Sequence, residues 1–129
     1  MSISSKERIK KSKDIEEVFS NGKVIISKDR KLKATYKETK SETELKILFG
    51  VTVYKKTGTA VWRNRIKRLI REAYRKNKKI LYDTLNKKEL LIYLIISPNS
   101  LNQKDSNKLS LSDIEPPVIE LLNKVTGAV

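Results

Sequence analysis

Hydrophobic positions along the chain recur with two periods, and these divide it into helices and strands. Between Ala60 and Lys76 the apolar residues Trp62, Ile66, Leu69, Ile70 and Ala73 fall at i, i+4, i+7, i+8 and i+11, the spacing of a helix that buries one stripe. On the same wheel Asn64, Lys67, Arg68, Arg71 and Arg75 share the opposite face, with Arg63 and Arg65 on the flanks. Thr59 is placed to cap this helix, and Gly58 to supply backbone freedom in the turn before it.

Ser12 to Ser20 forms a shorter helical pattern, with Ser12 as N-cap, Ile15, Val18 and Phe19 as its apolar side, and Asn21-Gly22 as its stop. Two segments alternate with period two, Arg30 to Lys37 and Leu45 to Tyr54. The first puts Leu32, Ala34 and Tyr36 opposite Lys33, Thr35 and Lys37. The second puts Ile47, Phe49, Val51 and Val53 opposite Lys46, Leu48, Gly50, Thr52 and Tyr54. The polar stretch Lys40 to Glu44 suits a hairpin loop between them, and one apolar face per strand implies a sheet packed on one side. Ile80, Leu81 and Leu85 predict a short helical turn, and Leu90 to Ile96 a buried strand ended by Ser97-Pro98-Asn99. After a polar loop, Ile114, Val118, Leu121, Leu122 and Val125 predict a last helix starting near Ser112, with Pro116 and Pro117 tolerated in its first turn.

Charge then gives the main helix a meaning. The 129 residues carry a formal net charge of +14, and on that helix only Glu72 offsets the cations. A solvated helix usually intersperses acids, since like charges at i, i+4 repel. An almost purely cationic face is relieved by a polyanion, and Arg is suited to bidentate phosphate contact. The charge should also steer the chain to such a partner and make binding salt-sensitive.

The chain has no cysteine and no histidine, which excludes disulfides, thiolate zinc sites and histidine acid–base chemistry. The length fits a single domain over residues 1–129. Residues 1–11 form a basic arm that reads equally as a disordered segment or as one that tracks a phosphate backbone. No apolar run is long enough to span a membrane and the N-terminus lacks a signal peptide's apolar region, so a cytoplasmic protein without a membrane partner or small-molecule substrate is expected.

The run Gly58-Thr59-Ala60-Val61-Trp62-Arg63-Asn64-Arg65-Ile66-Lys67-Arg68-Leu69-Ile70-Arg71-Glu72-Ala73-Tyr74-Arg75, preceded by Lys55-Lys56, resembles the signature of the bacterial ribonuclease P protein subunit family. The likeness extends to Lys6–Gly22, with Asp14 and Phe19 spaced as in that family and Asn21-Gly22 following. It fades after about Tyr82. Thr59 replaces the Asn usual in the turn, Leu48 and Tyr54 stand where a basic and a small residue are common, and Ile15 replaces a frequent aromatic.

The resemblance implies an α+β fold: a two-layer α/β sandwich with a four-stranded, mostly antiparallel sheet in the order α-β-β-(β)-α-β-α. It also implies a left-handed β-α-β crossover like that of ribosomal protein S5 domain 2. Periodicity is compatible with this but does not give the hand.

The implied activity is removal of the 5′ leader from precursor tRNA. The catalyst is the ribonuclease P RNA subunit with its Mg²⁺, and no cofactor is bound by a motif of the protein. The implied RNA-subunit contacts are Lys55, Lys56, Arg63, Asn64, Arg65, Lys67, Arg68 and Arg71, with Arg75 added from the basic face.

The leader would lie in a cleft between the first helix and the open sheet face. By the strand phasing that cleft is lined by Ile15, Phe19, Lys33, Thr35, Thr52 and Tyr54, with Arg8 on the arm before it. Phe19 and Tyr54 offer surfaces on which bases stack, although Phe19 equally fits a core position and Tyr54 a plain sheet surface. Trp62 follows the buried stripe. The competing reading is a ribosomal or other structural RNA-binding protein of similar fold with no part in cleavage.

Overall fold

The computed structural model describes residues 7–41 and 43–129. Its elements run α1 (Ser12–Asn21), β1 (Lys23–Ile26), β2 (Leu32–Lys40), β3 (Ile47–Val51), a 3-10 turn (Lys55–Thr57), α2 (Ala60–Asn77), α3 (Lys79–Leu85), β4 (Leu90–Pro98) and α4 (Leu111–Ala128). One sheet has the order β1-β2-β4-β3. β1–β2 and β2–β4 are antiparallel, and β3–β4 are parallel.

β2 and β3 are therefore not a hairpin. β4 lies between them because it is apolar on both faces, with Ile92, Leu94, Ile95 and Ile96 all fully buried, and such a strand belongs at the centre of a sheet. The chain instead leaves β2 alongside the start of β4, where Ser41 N–H donates to Glu89 O at 3.0 Å. α2 and α3 form the crossover between the parallel strands. β1, only four residues long, is too short to show an alternation, and only the expected strand count anticipated it.

One sheet face holds the core. Leu32, Ala34, Tyr36, Ile47, Phe49, Ile92, Leu94 and Ile96 meet Trp62, Ile66, Ile70, Ala73 and Tyr74 of α2, Leu81 and Leu85 of α3 and the apolar side of α4. Leu69, at the margin of the α2 stripe, is only partly buried against this cluster. Truncating any of its fully buried Ile or Leu side chains to Ala should cost about 2–5 kcal/mol. Tyr74, missing from the expected stripe, stacks on Phe49 with ring centroids 3.8 Å apart.

The sheet is not packed on one side only. α1 lies on its second face and buries Val18, and Thr35 beneath it is 1% exposed. Gly22 permits that approach: a Cβ there would stand 2.3 Å from Val18 O and 2.8 Å from Tyr36 O.

Three local expectations change. The N-cap of α1 is Lys11, in extended conformation, with Ser12 the first helical residue. α4 is capped by Ser110, whose N–H donates to Asp113 Oδ2 at 2.9 Å, and Pro116 and Pro117 lie inside the helix, beyond its first turn. Gly58 has φ 169°, an ordinary extended value. It is glycine because a Cβ would stand 2.8 Å from Gln103 and from the Trp62 ring. Among the described residues no helix is long and apolar enough to cross a membrane.

Candidate nucleic-acid interface

The basic helix is held rigidly at its start. Thr59 Oγ1 accepts the Trp62 N–H at 3.2 Å, and Trp62, 3% exposed, is core and donates its Nε1–H to Ser106 O at 3.0 Å. Arg63 Nε donates to Gly58 O at 3.1 Å and Arg65 Nε to Leu109 O at 3.1 Å. These bonds use few of each guanidinium's donors and fix the planes of the remainder.

Asn64, Arg68 and Arg71 are exposed and Lys67 half-buried. Among the described residues Lys67, Arg68 and Arg71 have no carboxylate partner. Lys55 and Lys56 are exposed on the 3-10 turn just before the helix. Arg75 differs, since its Nε donates to Glu72 Oε2 at 3.0 Å. That bond holds the Glu72 carboxyl below its ordinary range. The helix charge without a carboxylate partner among the described residues is therefore concentrated in the first two-thirds of α2.

The second sheet face is ordered in rows by strand register. One row is Ile26, Lys33 and Ser97, continued by Thr52 just past β3. Tyr54 stands over its Lys33, whose Nζ is 5.8 Å from the ring centroid. The next row, Val24, Thr35, Ile95 and Gly50, is where α1 sits. Ile15 of α1 and Ile9 of the preceding segment reach over Ile95 and Gly50 and close one side of a groove of about 110 Å³. Arg8 and Thr52 also line it, and so does Arg71 from α2.

The segment before α1 holds its place by adding to the β3 edge, where Arg8 bridges Phe49 in parallel and Ile9 N–H donates to Phe49 O at 3.0 Å. Residues 1–6 of the expected arm, Lys6 among them, lie outside the described residues.

Of the expected cleft residues, Arg8, Ile15 and Thr52 line this groove, while Lys33 and Tyr54 form a cation–aromatic pair on the same face. Phe19 is not core; it is 37% exposed. Thr35 is a correction: buried under α1, it presents nothing to a ligand. Phasing placed it on the correct face, but nothing in the pattern showed that a helix covers that row.

Ile9, Ile95 and Ser97 were missed. Continuing the alternation of β4 past Ile96 would have put Tyr93, Ile95 and Ser97 on this face. The hydroxyls of Ser97 and Thr52, adjacent in their row, are both buried without a hydrogen-bond partner among the described residues.

A cationic, partly apolar groove beside a rigid arginine face suits single-stranded and structured RNA together. Among the described residues no group of three or more Asp or Glu side chains is placed to hold a metal ion.

These features define a basic α/β-sandwich domain of the RNA-binding class. A family model described as Ribonuclease P matches residues 3–115. The ribonuclease P protein component of Clostridium botulinum (strain Langeland) is 38% identical over 117 residues, covering 91% of this chain and 92% of that one. That of Macrococcus caseolyticus is 42% identical over 71 residues, 55% of this chain and 58% of that protein. The ribonuclease P protein of Thermotoga maritima superposes with a TM-score of 0.69 at 21% identity, over 92% of this chain and 96% of that one. The Staphylococcus aureus protein gives 0.67 at 23%, over 92% and 94%. The chain belongs to the ribonuclease P protein component family.

Proposed function

We propose that this chain is the protein subunit of a ribonuclease P ribonucleoprotein, anchoring on the RNA subunit and holding the 5′ leader of precursor tRNA while the RNA subunit cuts the phosphodiester bond. The observation that carries this reading is Arg71. It stands on the arginine face of α2 and also lines the groove of the second sheet face, so the surface that would bind the RNA subunit is continuous with the groove that would receive the leader. Lys55, Lys56, Arg63, Asn64, Arg65, Lys67 and Arg68 contact the RNA subunit through phosphates. Arg8, Ile15, Lys33, Thr52 and Tyr54 hold the leader, with Phe19 available for stacking.

In this reading the protein supplies no group to bond breaking, and the Mg²⁺ that assists hydrolysis is held by the RNA. What the chain contributes is electrostatic neutralisation and positioning.

The test is precursor-tRNA cleavage at near-physiological salt and low Mg²⁺ with the protein alone, a bacterial ribonuclease P RNA alone, and both. Efficient cleavage at the mature 5′ end only in the combination supports the reading. Arg68→Ala/Arg71→Ala is the variant to compare, because Arg63 and Arg65 also fasten local structure. It should need much more protein for the same rate. RNA binding with no effect on cleavage would instead favour a structural RNA-binding role.

A further inference from the structure

The polar loop at residues 99–110 is absorbed neither by the helix nor by the groove, yet it is bonded to the start of α2 along much of its length. Gln103 N–H donates to Thr57 O at 2.7 Å, and Gln103 Oε1 accepts the Thr59 N–H at 2.8 Å. Ser106 O accepts a hydrogen bond from the Trp62 indole N–H, and Leu109 O one from Arg65 Nε. The close packing of Gln103 on Gly58 leaves no room there for a Cβ.

Every one of these bonds is made by a backbone group or a neutral side chain of the loop. Its two cations, Lys104 and Lys108, are exposed and make no ion pair among the described residues. The one acid of the loop, Asp105, is engaged by Asn102, whose Nδ2 donates to its Oδ2 at 3.0 Å and whose Oδ1 accepts its N–H at 2.9 Å. Lys104 follows Gln103 and so lies beside the turn that carries Lys55 and Lys56. Lys108 precedes Leu109 and so lies beside Arg65. A polar loop this firmly fastened, with its cations turned out next to an already cationic surface, raises the repulsion there unless a polyanion spans both.

We propose that this loop is a second RNA-contact element, in which Lys104 and Lys108 neutralise phosphates of the same structured RNA that α2 engages. The inference rests on the ribonuclease P subunit reading and adds a binding site to it. Arg65, its guanidinium plane set by Leu109 O, is the joint between the two elements: its remaining N–H donors and the Lys108 ammonium address adjacent phosphates.

The test is titration of the full-length protein with a bacterial ribonuclease P RNA at several monovalent salt concentrations. Wild type is compared with Lys104→Gln/Lys108→Gln and with the charge-matched control Lys40→Gln/Lys87→Gln. The control residues are exposed at the other end of β4, roughly 26 Å away at about 3.3 Å per strand residue.

Each phosphate contact contributes about 0.7–0.9 to the slope of log Kd against log salt. Losing two lowers the slope by about 1.4–1.8, so the ratio of Kd between threefold different salt concentrations shrinks by roughly five- to sevenfold. That change in the loop variant, with the control keeping the wild-type slope, is the expected result. Equal slopes in loop variant and wild type, or equal loss in loop variant and control, would overturn the proposal. Failure of the wild type itself to bind this RNA, or indifference of binding to Arg68→Ala/Arg71→Ala, would instead strike the subunit reading.

Discussion

Replacing Lys78 by Met tests how the groove is assembled. Lys78 sits at the junction of α2 and α3 with 5% of its surface exposed, and its Nζ lies 3.0 Å and 3.2 Å from the two Glu7 carboxylate oxygens. Tyr82 donates its hydroxyl to the same carboxylate, and burial first, then Glu7, pushes the tyrosine up to about 12. Glu7 immediately precedes Arg8 and Ile9, which add to the β3 edge and close the groove. The ion pair therefore ties that edge segment to the helical layer.

A charge-assisted hydrogen bond contributes about 1.5–3 kcal/mol, and breaking a fully buried pair costs about 3–5. Here Glu7 can turn its carboxylate to water, since 17% of its side chain is already exposed, and Met keeps the packing of the Lys stem. The lower range applies, and at about 2 kcal/mol the undocked fraction of the segment rises roughly thirtyfold. The reporter is amide exchange at Ile9, whose N–H bonds to Phe49 O. It should quicken roughly ten- to a hundredfold in Lys78→Met while the central amides of β4 follow global stability alone. Leader affinity should fall with it through the loss of Arg8. An unchanged Ile9 exchange rate would show that the edge segment docks without the ion pair and refute the reasoning.

Gly22→Ala should destabilise the protein by about 2–3 kcal/mol in urea unfolding, because both atoms the new Cβ meets, Val18 O and Tyr36 O, are backbone and give little. Tyr74→Phe should be neutral or stabilising by up to about 1 kcal/mol: the Tyr74 hydroxyl is buried without a hydrogen-bond partner among the described residues and removing it removes a desolvated polar group. Tyr82 stays protonated in the folded state to about 12 against an ordinary 10.0, so the stability it contributes is full below pH 10.0 and is lost as pH rises to about 12. The urea midpoint should drop across that window, and less steeply in Tyr82→Phe.

The basic helix was legible because two independent patterns coincide on it: an apolar stripe fixed which face is buried, and the single acid Glu72 showed that the other face lacks ordinary compensation. The strand faces were legible for the same reason, since period two assigns Leu32, Ala34 and Tyr36 to one side whatever strand lies beside them. Strand order was not, because neighbours are chosen by tertiary burial. The information was nonetheless present in Leu90 to Ile96, whose apolar residues on both faces admit only a central position.

The groove was half legible. Phasing placed Lys33, Thr35 and Thr52 on one face correctly, but which of them remains accessible depends on where α1 docks, and that is decided by a close backbone approach at Gly22. The anchoring of the 99–110 loop on the turn before α2 has no periodic signal at all, being built from backbone carbonyls and one glutamine.

The parallel pairing of β3 with β4 explains why the two cationic surfaces meet. A parallel neighbour requires a crossover, and here the crossover carries α2 over the core face and past the β3 edge, where its outward residues overlook the rim of the sheet. The same edge is occupied on the other side by the segment of Arg8 and Ile9, held there by pairing with Phe49. Arg8 and Arg71 thus reach one groove from opposite layers of the sandwich. Had β2 and β3 formed the hairpin that their sequence pattern suggests, with β4 still beside β3, β2 and β4 would fill both edges of β3 and leave none for the segment of Arg8 and Ile9. The apolar character of β4, which forces it into the centre, is thereby also what joins the two cationic surfaces.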